Sequence, residues 1–364
     1  MHLYLHIPFC HRICPYCSFY KHTPGDTDLS RFVEALLSEA RGRREAAGPL
    51  RTLYLGGGTP SMLSPTHLTR LFEGLRRTFD FSQCAELTLE ANPATFTSRT
   101  ARLYRDLGVN RVSLGIQSFH PEHLRTLGRE HDPHQATASF HLLREVSGLA
   151  VNIDLIFSLP GQTVEDWRQT LQATRDLAPE HISAYNLTYE EDTPFFERFQ
   201  SGAYRDDPER NAAMFSLADD LLGASGYHHY ETSNYARPGF ESLHNRGYWR
   251  GADYLGLGPS AVSTMAGHRW KNVPDTRRYL AMIERIGRAE TEVEDLRPSQ
   301  LRLERLALLL RTSEGVPRQH LRDVSPERIA QLTEECLATL TSHRLTLTGR
   351  GPLLVDSILE HLVS

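Results

Sequence analysis

The sequence predicts an α/β fold built on a parallel sheet, with a smaller α+β segment following it. In the first half, short apolar β-rich runs alternate with longer stretches of helical period. Parallel neighbours need long crossovers, and that alternation supplies helices of the right length. From about Arg205 the alternation loosens, and from Pro298 a compact pattern of helix, helix, strand, turn and terminal helix takes over. Six strand–helix units can form an open barrel or a doubly wound sheet, and periodicity does not choose between them.

The strands expected in chain order are Leu3–His6, Thr52–Leu55, Glu86–Glu90, Arg111–Gly115, Val151–Ile156 and His181–Leu187. Ser64 followed by Pro65 is a good helix start, and Leu68, Leu71, Phe72 and Leu75 then share one face. Thr163 opens another helix, with Val164, Trp167 and Leu171 together. A helix is expected over Asn211–Ala224, then a Gly- and aromatic-rich stretch to Gly267. In the tail the expectations are a helix over Ser325–Leu340, a strand over Arg344–Thr348 and a terminal helix, a pattern resembling a winged helix. The expected units are 1–200, 201–297 and 298–364.

A chain of 364 residues can bury a large core plus a small one. No apolar run approaches the ~20 residues of a membrane helix, and the first residues lack a signal-peptide pattern. The cytoplasm is the expected compartment. A net charge of −5 shows no basic excess, and from Leu301 to Ser364 eight arginines balance eight acidic residues. No phosphate-binding footprint results, so nucleic acid is not an expected partner of the winged-helix-like segment.

Five cysteines, three of them within eight residues, do not read as a disulfide framework. Cys84 and Cys336 stand alone, as small buried residues do. Cys10, Cys14 and Cys17 follow the first strand at Cys-x3-Cys-x2-Cys spacing. Clustered thiolates suit zinc, copper(I) or an iron–sulfur cluster. Zinc needs a fourth ligand, for which His6, His11 or His22 would serve. An iron–sulfur cube with three cysteines instead leaves one iron open to an outside ligand.

The segment HIPFCHRICPYCSF resembles the signature of radical S-adenosylmethionine (SAM) proteins of the oxygen-independent coproporphyrinogen III oxidase-like family. The resemblance implies a partial (β/α)6 barrel like part of a TIM barrel, with an α+β cap and the winged-helix-like module at its C-terminal side. It also implies a [4Fe–4S] cluster on the three cysteines, with SAM chelating the open iron through its amino and carboxylate groups. Reduction of the cluster then breaks a carbon–sulfur bond of SAM. Phe9, Pro15, Tyr16 and Phe19 would pack around the cube and keep it dry.

The remaining motifs fall at the C-terminal ends of successive strands, where barrel enzymes place their sites. Gly56-Gly57-Gly58-Thr59-Pro60 would allow a ligand to approach the backbone; alone it would be a plain turn. The family uses such a loop against the SAM amino group, which assigns Gly57, Gly58 and Thr59. Glu90, in LTLEANP, matches a carboxylate on the SAM side. Gln117 and Arg129 match residues for the SAM ribose and carboxylate, the arginine by a bidentate pair. Asp154 alternates with apolar neighbours, so it points inward, where an unpaired charge is costly; by resemblance it accepts from a SAM hydroxyl. Tyr4 matches a cluster-side tyrosine. Ser158 departs from the glycine usual at its position.

Two departures separate the chain from the oxidase proper. Phe19 stands where the oxidase has a fourth cysteine, and Cys10 arrives without the extension that precedes the oxidase signature. Downstream, His244-Asn245-Arg246-Gly247-Tyr248-Trp249 looks like the HNxxYW segment of the heme-chaperone (HemW) branch. That resemblance implies heme as a further ligand, with His244 as candidate iron ligand; the alternative is a hydrogen-bonded structural histidine. It implies a heme-accepting protein and an electron donor as partners. A peripheral contact with membrane-bound acceptors and a homodimer are further expectations. The rival functions are a radical SAM enzyme, an oxidase or methyltransferase acting on a tetrapyrrole or other small molecule, and a protein with structural zinc.

Overall fold

A computed structural model describes residues 1–46 and 48–363. Six strands, β1 (His2–Ile7), β2 (Thr52–Gly57), β3 (Glu86–Ala91), β4 (Arg111–Gln117), β5 (Ala150–Phe157) and β6 (His181–Asn186), pair in parallel and in sequence order. Sequential order is barrel topology; a doubly wound sheet would reverse direction part-way. The strand pattern explains the curvature. One face is apolar, with Leu3, Leu53 and Leu87 in register, then Leu5, Leu55 and Leu89. The other carries His2 and Thr52, then Tyr4, Tyr54 and Thr88, then Glu90, Ser113 and Asn152. The crossover helices cover the apolar face, and the polar one lines an interior against which the short helix Leu243–Trp249 packs at the N-terminal ends of the strands.

Helix starts follow local chemistry. The Ser64 side chain accepts from the His67 N–H, and Thr163 forms a capping box with Asp166, opening helices Pro65–Thr78 and Val164–Leu177. Phe72, Leu75 and Trp167 are buried against the sheet.

The segment after Gln200 widens the same sheet at both edges. β7 (His228–Glu231) and β8 (Asn234–Ala236) add antiparallel strands beside β6. β9 (Tyr254–Leu257) pairs in parallel with β1, and β10 (Val262–Met265), β11 (His268–Asn272) and β12 (Glu290–Asp295) continue outward. The buried Glu39 carboxylate ties this extension to the first helix, Leu29–Gly42, accepting from Tyr279 Oη at 2.6 Å, Asn272 Nδ2 at 2.7 Å and the Gly258 N–H at 2.9 Å. The strand order runs from β12 to β7, so the barrel is open.

The tail has its own core, including Leu306, Leu310, Val316, Leu332, Leu345 and Ile358. Its strands β13 (Val316–Pro317), β14 (Ala338–Leu340) and β15 (Arg344–Leu347) form an antiparallel sheet in the order β13-β15-β14. The helix expected over Ser325–Leu340 is shorter: it spans Pro326–Glu334, Cys336 turns the chain at φ +57°, and Ala338–Leu340 is a strand. Apolar Leu337 and Leu340 kept the helical period in sequence, yet they pack on the module's core from outside the helix.

Candidate functional site

The cysteine loop leaves β1 and returns beside it. His22 N–H donates to Pro8 O at 2.8 Å and Cys10 N–H to His22 O at 3.0 Å, so residues 10–22 form a closed loop. Cys10, Cys14 and Cys17 are all free thiols, partly buried. Thr59 Oγ1 lies 3.6 Å from the Cys10 sulfur and Arg129 Nη1 3.7 Å from that of Cys14, both placed to donate. Lys21 Nζ donates to the Cys17 carbonyl. Burial pushes the Cys10 and Cys17 thiols up, which a metal would reverse by binding the thiolates.

The strand-end residues converge beside this loop. Gly58 packs where a Cβ would lie 2.7 Å from Phe9 O and 2.8 Å from Ile7 O, so only glycine lets the β2 loop meet the β1 loop. Gly57 adopts φ +106° under the His6 ring. Glu90 accepts from Tyr54 Oη at 2.7 Å and from the Gly57 N–H at 3.1 Å. Burial, then the charge of Asp154, pushes its carboxyl up to about 7. Asp154 accepts from Ser113 Oγ at 2.9 Å and Asn152 Nδ2 at 2.7 Å, and burial raises it too. Arg129 Nη2 donates to Asn92 Oδ1 at 2.5 Å and to Gly115 O at 2.6 Å. Burial opposes its charge, but neighbouring Tyr16 and Cys14 outweigh it and hold its pKa up. Gln117 closes β4 at φ +69°, at a break in register with β5. Tyr4 Oη bonds His6 Nδ1 at 3.0 Å, and its ring stacks on Tyr54 at 6.1 Å between centroids.

Two expected site residues stand elsewhere. Phe19 is 68% exposed and lines a cavity beside the loop. His244 is 1% exposed, with Nδ1 on Thr52 Oγ1 at 2.7 Å and Nε2 on Tyr248 Oη at 3.0 Å. Burial lowers it to about 3, so it is a neutral, fully bonded ring with no nitrogen for iron. These contacts favour the structural alternative for this histidine: Ser242 caps its short helix, whose first N–H groups point at Glu86.

Sequence reasoning passed over Asn92 and Tyr54. Asn92 Nδ2 donates to Thr59 at 2.9 Å while its Oδ1 takes Arg129, which joins three motifs. Its signal was its place just after Glu90-Ala91; that of Tyr54 was its alternation with Thr52 on the polar face. A cavity of about 520 Å³ opens beside the loop, between Tyr4 and Tyr20 on one side and helix Pro298–Leu310 on the other.

Residues 4–174 match the radical SAM superfamily model, the class that the open barrel and the thiol loop define. The heme chaperone HemW of Lactococcus lactis is 34% identical over 98% of this chain and 96% of its own. HemW of Escherichia coli is 33% identical over 98% and 97%. A zebrafish (Danio rerio) mitochondrial radical SAM domain-containing protein 1 is 32% identical over 99% and 86%. The solved coproporphyrinogen III oxidase HemN of E. coli, a radical SAM enzyme, superposes with TM-score 0.85 at 25% identity, covering 100% of this chain and 90% of that one. The chain belongs to the HemW family of radical SAM proteins.

Membership of the superfamily implies a [4Fe–4S] cluster and SAM. The donor set fits a cube: three thiols on one loop, with Thr59 and Arg129 aimed at two sulfurs.

Proposed function

We propose that this protein is a heme chaperone, binding heme and passing it to acceptor proteins from a radical SAM scaffold. The observation that carries this reading is the thiol loop, set against Arg129 and Thr59, in a chain that follows proteins named heme chaperones over nearly its whole length. Cys10, Cys14 and Cys17 would hold the cluster. Tyr4, Gly57, Gly58, Thr59, Glu90, Gln117, Arg129 and Asp154 would surround SAM. When bound and reduced, the cluster supplies an electron that can break a carbon–sulfur bond of SAM. The chain's own residues set the conditions: Thr59 and Arg129 donate toward sulfur and draw off charge, which raises a cluster potential. Glu90 and Asp154 offer acceptors in a partly buried site. Partners on this reading are a heme acceptor and an electron donor. Residues 1–200, 201–297 and 298–364 would act as barrel, extension and winged-helix-like module. Three free thiols suit a reducing compartment, so we place it in the cytoplasm.

The likeness to HemN favours a second reading, an enzyme acting on a tetrapyrrole. Phe19 in place of a fourth cysteine weighs against the oxidase itself. The test is anaerobic reconstitution followed by heme titration. The chaperone reading expects about four irons per chain and a shifted Soret band. A normal cluster without a heme response, together with 5′-deoxyadenosine formed only when a tetrapyrrole is added, would replace it with the enzyme.

A further inference from the structure

The cavity of about 520 Å³ lies within the range of small-molecule sites, roughly 300–1,000 Å³. The SAM-side residues Glu90, Asp154 and Arg129 do not line it. Its floor comes from β1 and the residues just after Cys17, one wall from β9 and β10, and the other from helix Pro298–Leu310. Much of the lining is aromatic or aliphatic: Phe19, Tyr20, Tyr248, Tyr254, Leu301 and Leu308. Aromatic and aliphatic surfaces of this kind take a planar, hydrophobic ring system.

Two groups in the cavity keep capacity for an iron-bound, acid-bearing ligand. Arg305 donates to Gly251 O at 2.9 Å and pairs with no carboxylate among the described residues, whereas neighbouring Arg269 is held by Glu304 at 2.7 Å. The Tyr254 hydroxyl makes no hydrogen bond among the described residues; its ring packs edge-on against Tyr248 at 4.6 Å. The other phenols are engaged: Tyr4 with His6, Tyr248 with His244, and Tyr20 with Thr276. His6, the cavity's histidine, bonds Tyr4 through one nitrogen and the Tyr20 carbonyl through the other at 2.7 Å. No imidazole there is free to bind iron, and one phenol is.

We propose that this cavity is the heme site, with Tyr254 as the axial ligand of ferric iron and Arg305 paired with a propionate. The inference rests on the heme reading above and adds the place and the ligands. Binding transfers the Tyr254 phenolic proton to solvent as the oxygen–iron bond forms, with no change of oxidation state. Because Tyr254 belongs to the sheet and Arg305 to the tail helix, the site is complete only when the tail is docked. Its floor touches Ser18 and Phe19, so cargo would sit directly beside the cluster loop.

The test is titration of ferric heme into the reconstituted full chain, read by the Soret band and by a phenolate-to-iron charge-transfer band. Wild type should show both. Tyr254→Phe should lose the charge-transfer band and bind about tenfold or more weakly. Arg305→Met should weaken heme but leave heme dimethyl ester, which lacks the propionate charges, bound as in wild type. Ala252→Phe, which fills the cavity, should block both ligands, and His244→Gln should keep the charge-transfer band. Circular dichroism and iron content of each variant exclude misfolding as the cause. Wild type without any heme response would overturn the chaperone reading itself. Heme bound by wild type, with Tyr254→Phe and Ala252→Phe unchanged or His244→Gln silent, would overturn only this site.

Discussion

Glu86 and Glu90 lie four residues apart on β3 and face the same interior, yet their surroundings differ in kind. Glu86 accepts from Arg111 Nε at 3.1 Å, Ser242 Oγ at 3.1 Å and the Leu243 and His244 N–H groups at 2.9 and 3.0 Å. Glu90 accepts from two groups only and is pushed up to about 7. At the N-terminal end of β3 the carboxylate is answered by four donors from the protein. At the C-terminal ends charge is buried and left partly unanswered, beside thiols and beside left-handed residues at Gln117 and Ser158. Local strain and under-satisfied charge persist where a fold reserves room for a ligand.

The comparison breaks most sharply on metal content. Cys10→Ala should take iron from about four per chain to background after reconstitution, while Glu86→Ala should leave iron loading of the folded fraction intact. Iron retained by Cys10→Ala would remove the thiol loop from the site. The order reverses for stability. Glu86→Ala leaves Arg111 buried without its partner and uncaps the helix at Ser242, a loss of about 3–5 kcal/mol by urea unfolding. Cys10→Ala in the metal-free protein should cost about 1 kcal/mol or less. If Glu86→Ala unfolds no more easily than wild type, the closed end is not a structural network.

The fold was legible because β1 to β6 carry apolar–polar alternation and their helices carry clear caps at Ser64 and Thr163. The order of the strands was not, since alternation describes each strand and says nothing of its neighbour. The thiol loop and the strand-end motifs were legible as runs for the same reason: each is a short run at a strand end. The two readings of His244 stayed open in sequence because HNRGYW looks the same whether the ring meets a ligand or meets Thr52 and Tyr248, residues 192 positions before it and 4 after it. Asn92 was passed over because its two partners, Thr59 and Arg129, lie in separate motifs. Tyr254 and Arg305 become visible only when β9 is seen to pair with β1 and the tail helix to cover it.

Protonation sharpens the contrast further. Glu90 has its folded pKa raised from the ordinary 4.5 to about 7, so its contribution is fully favourable below 4.5 and is lost as pH rises through 7. His244 has its folded pKa lowered from 6.5 to about 3, so folding loses stability as pH falls below 6.5. His2 and His6, each lowered to about 4 mainly by burial, add to the acid-side loss. Glu231 at the back of the sheet, raised to about 7 by burial, adds to the loss toward neutrality. The difference between wild type and Glu90→Gln therefore isolates one group. Metal-free Glu90→Gln should gain relative to wild type between pH 4.5 and 7, by about 2–3 kcal/mol at most. Parallel stability curves for the two proteins would mean that Glu90 is solvated and the C-terminal end is no more costly than the N-terminal one.

The smallest effect concerns backbone strain at the same end. Ser158 follows β5 at φ +64°, buried, with its hydroxyl unpartnered among the described residues. A non-glycine residue there costs about 1–2 kcal/mol, offset in part by the extra freedom glycine has in the unfolded chain. Removing the unpaired hydroxyl also relieves a desolvation cost. Ser158→Gly should therefore stabilise the metal-free protein by about 1 kcal/mol in urea unfolding. A Gly substitution at Ser139 makes the control: its hydroxyl is equally buried but donates to Gln135 O at 2.7 Å, accepts from the Ala94 N–H at 2.9 Å and sits in a helix, so the same change should destabilise. Stabilisation at Ser158 with destabilisation at Ser139 would locate stored strain at the strand end that faces SAM in the proposed site. Equal losses at both positions would mean that Ser158 is held by a contact other than its backbone and that the strain is not there.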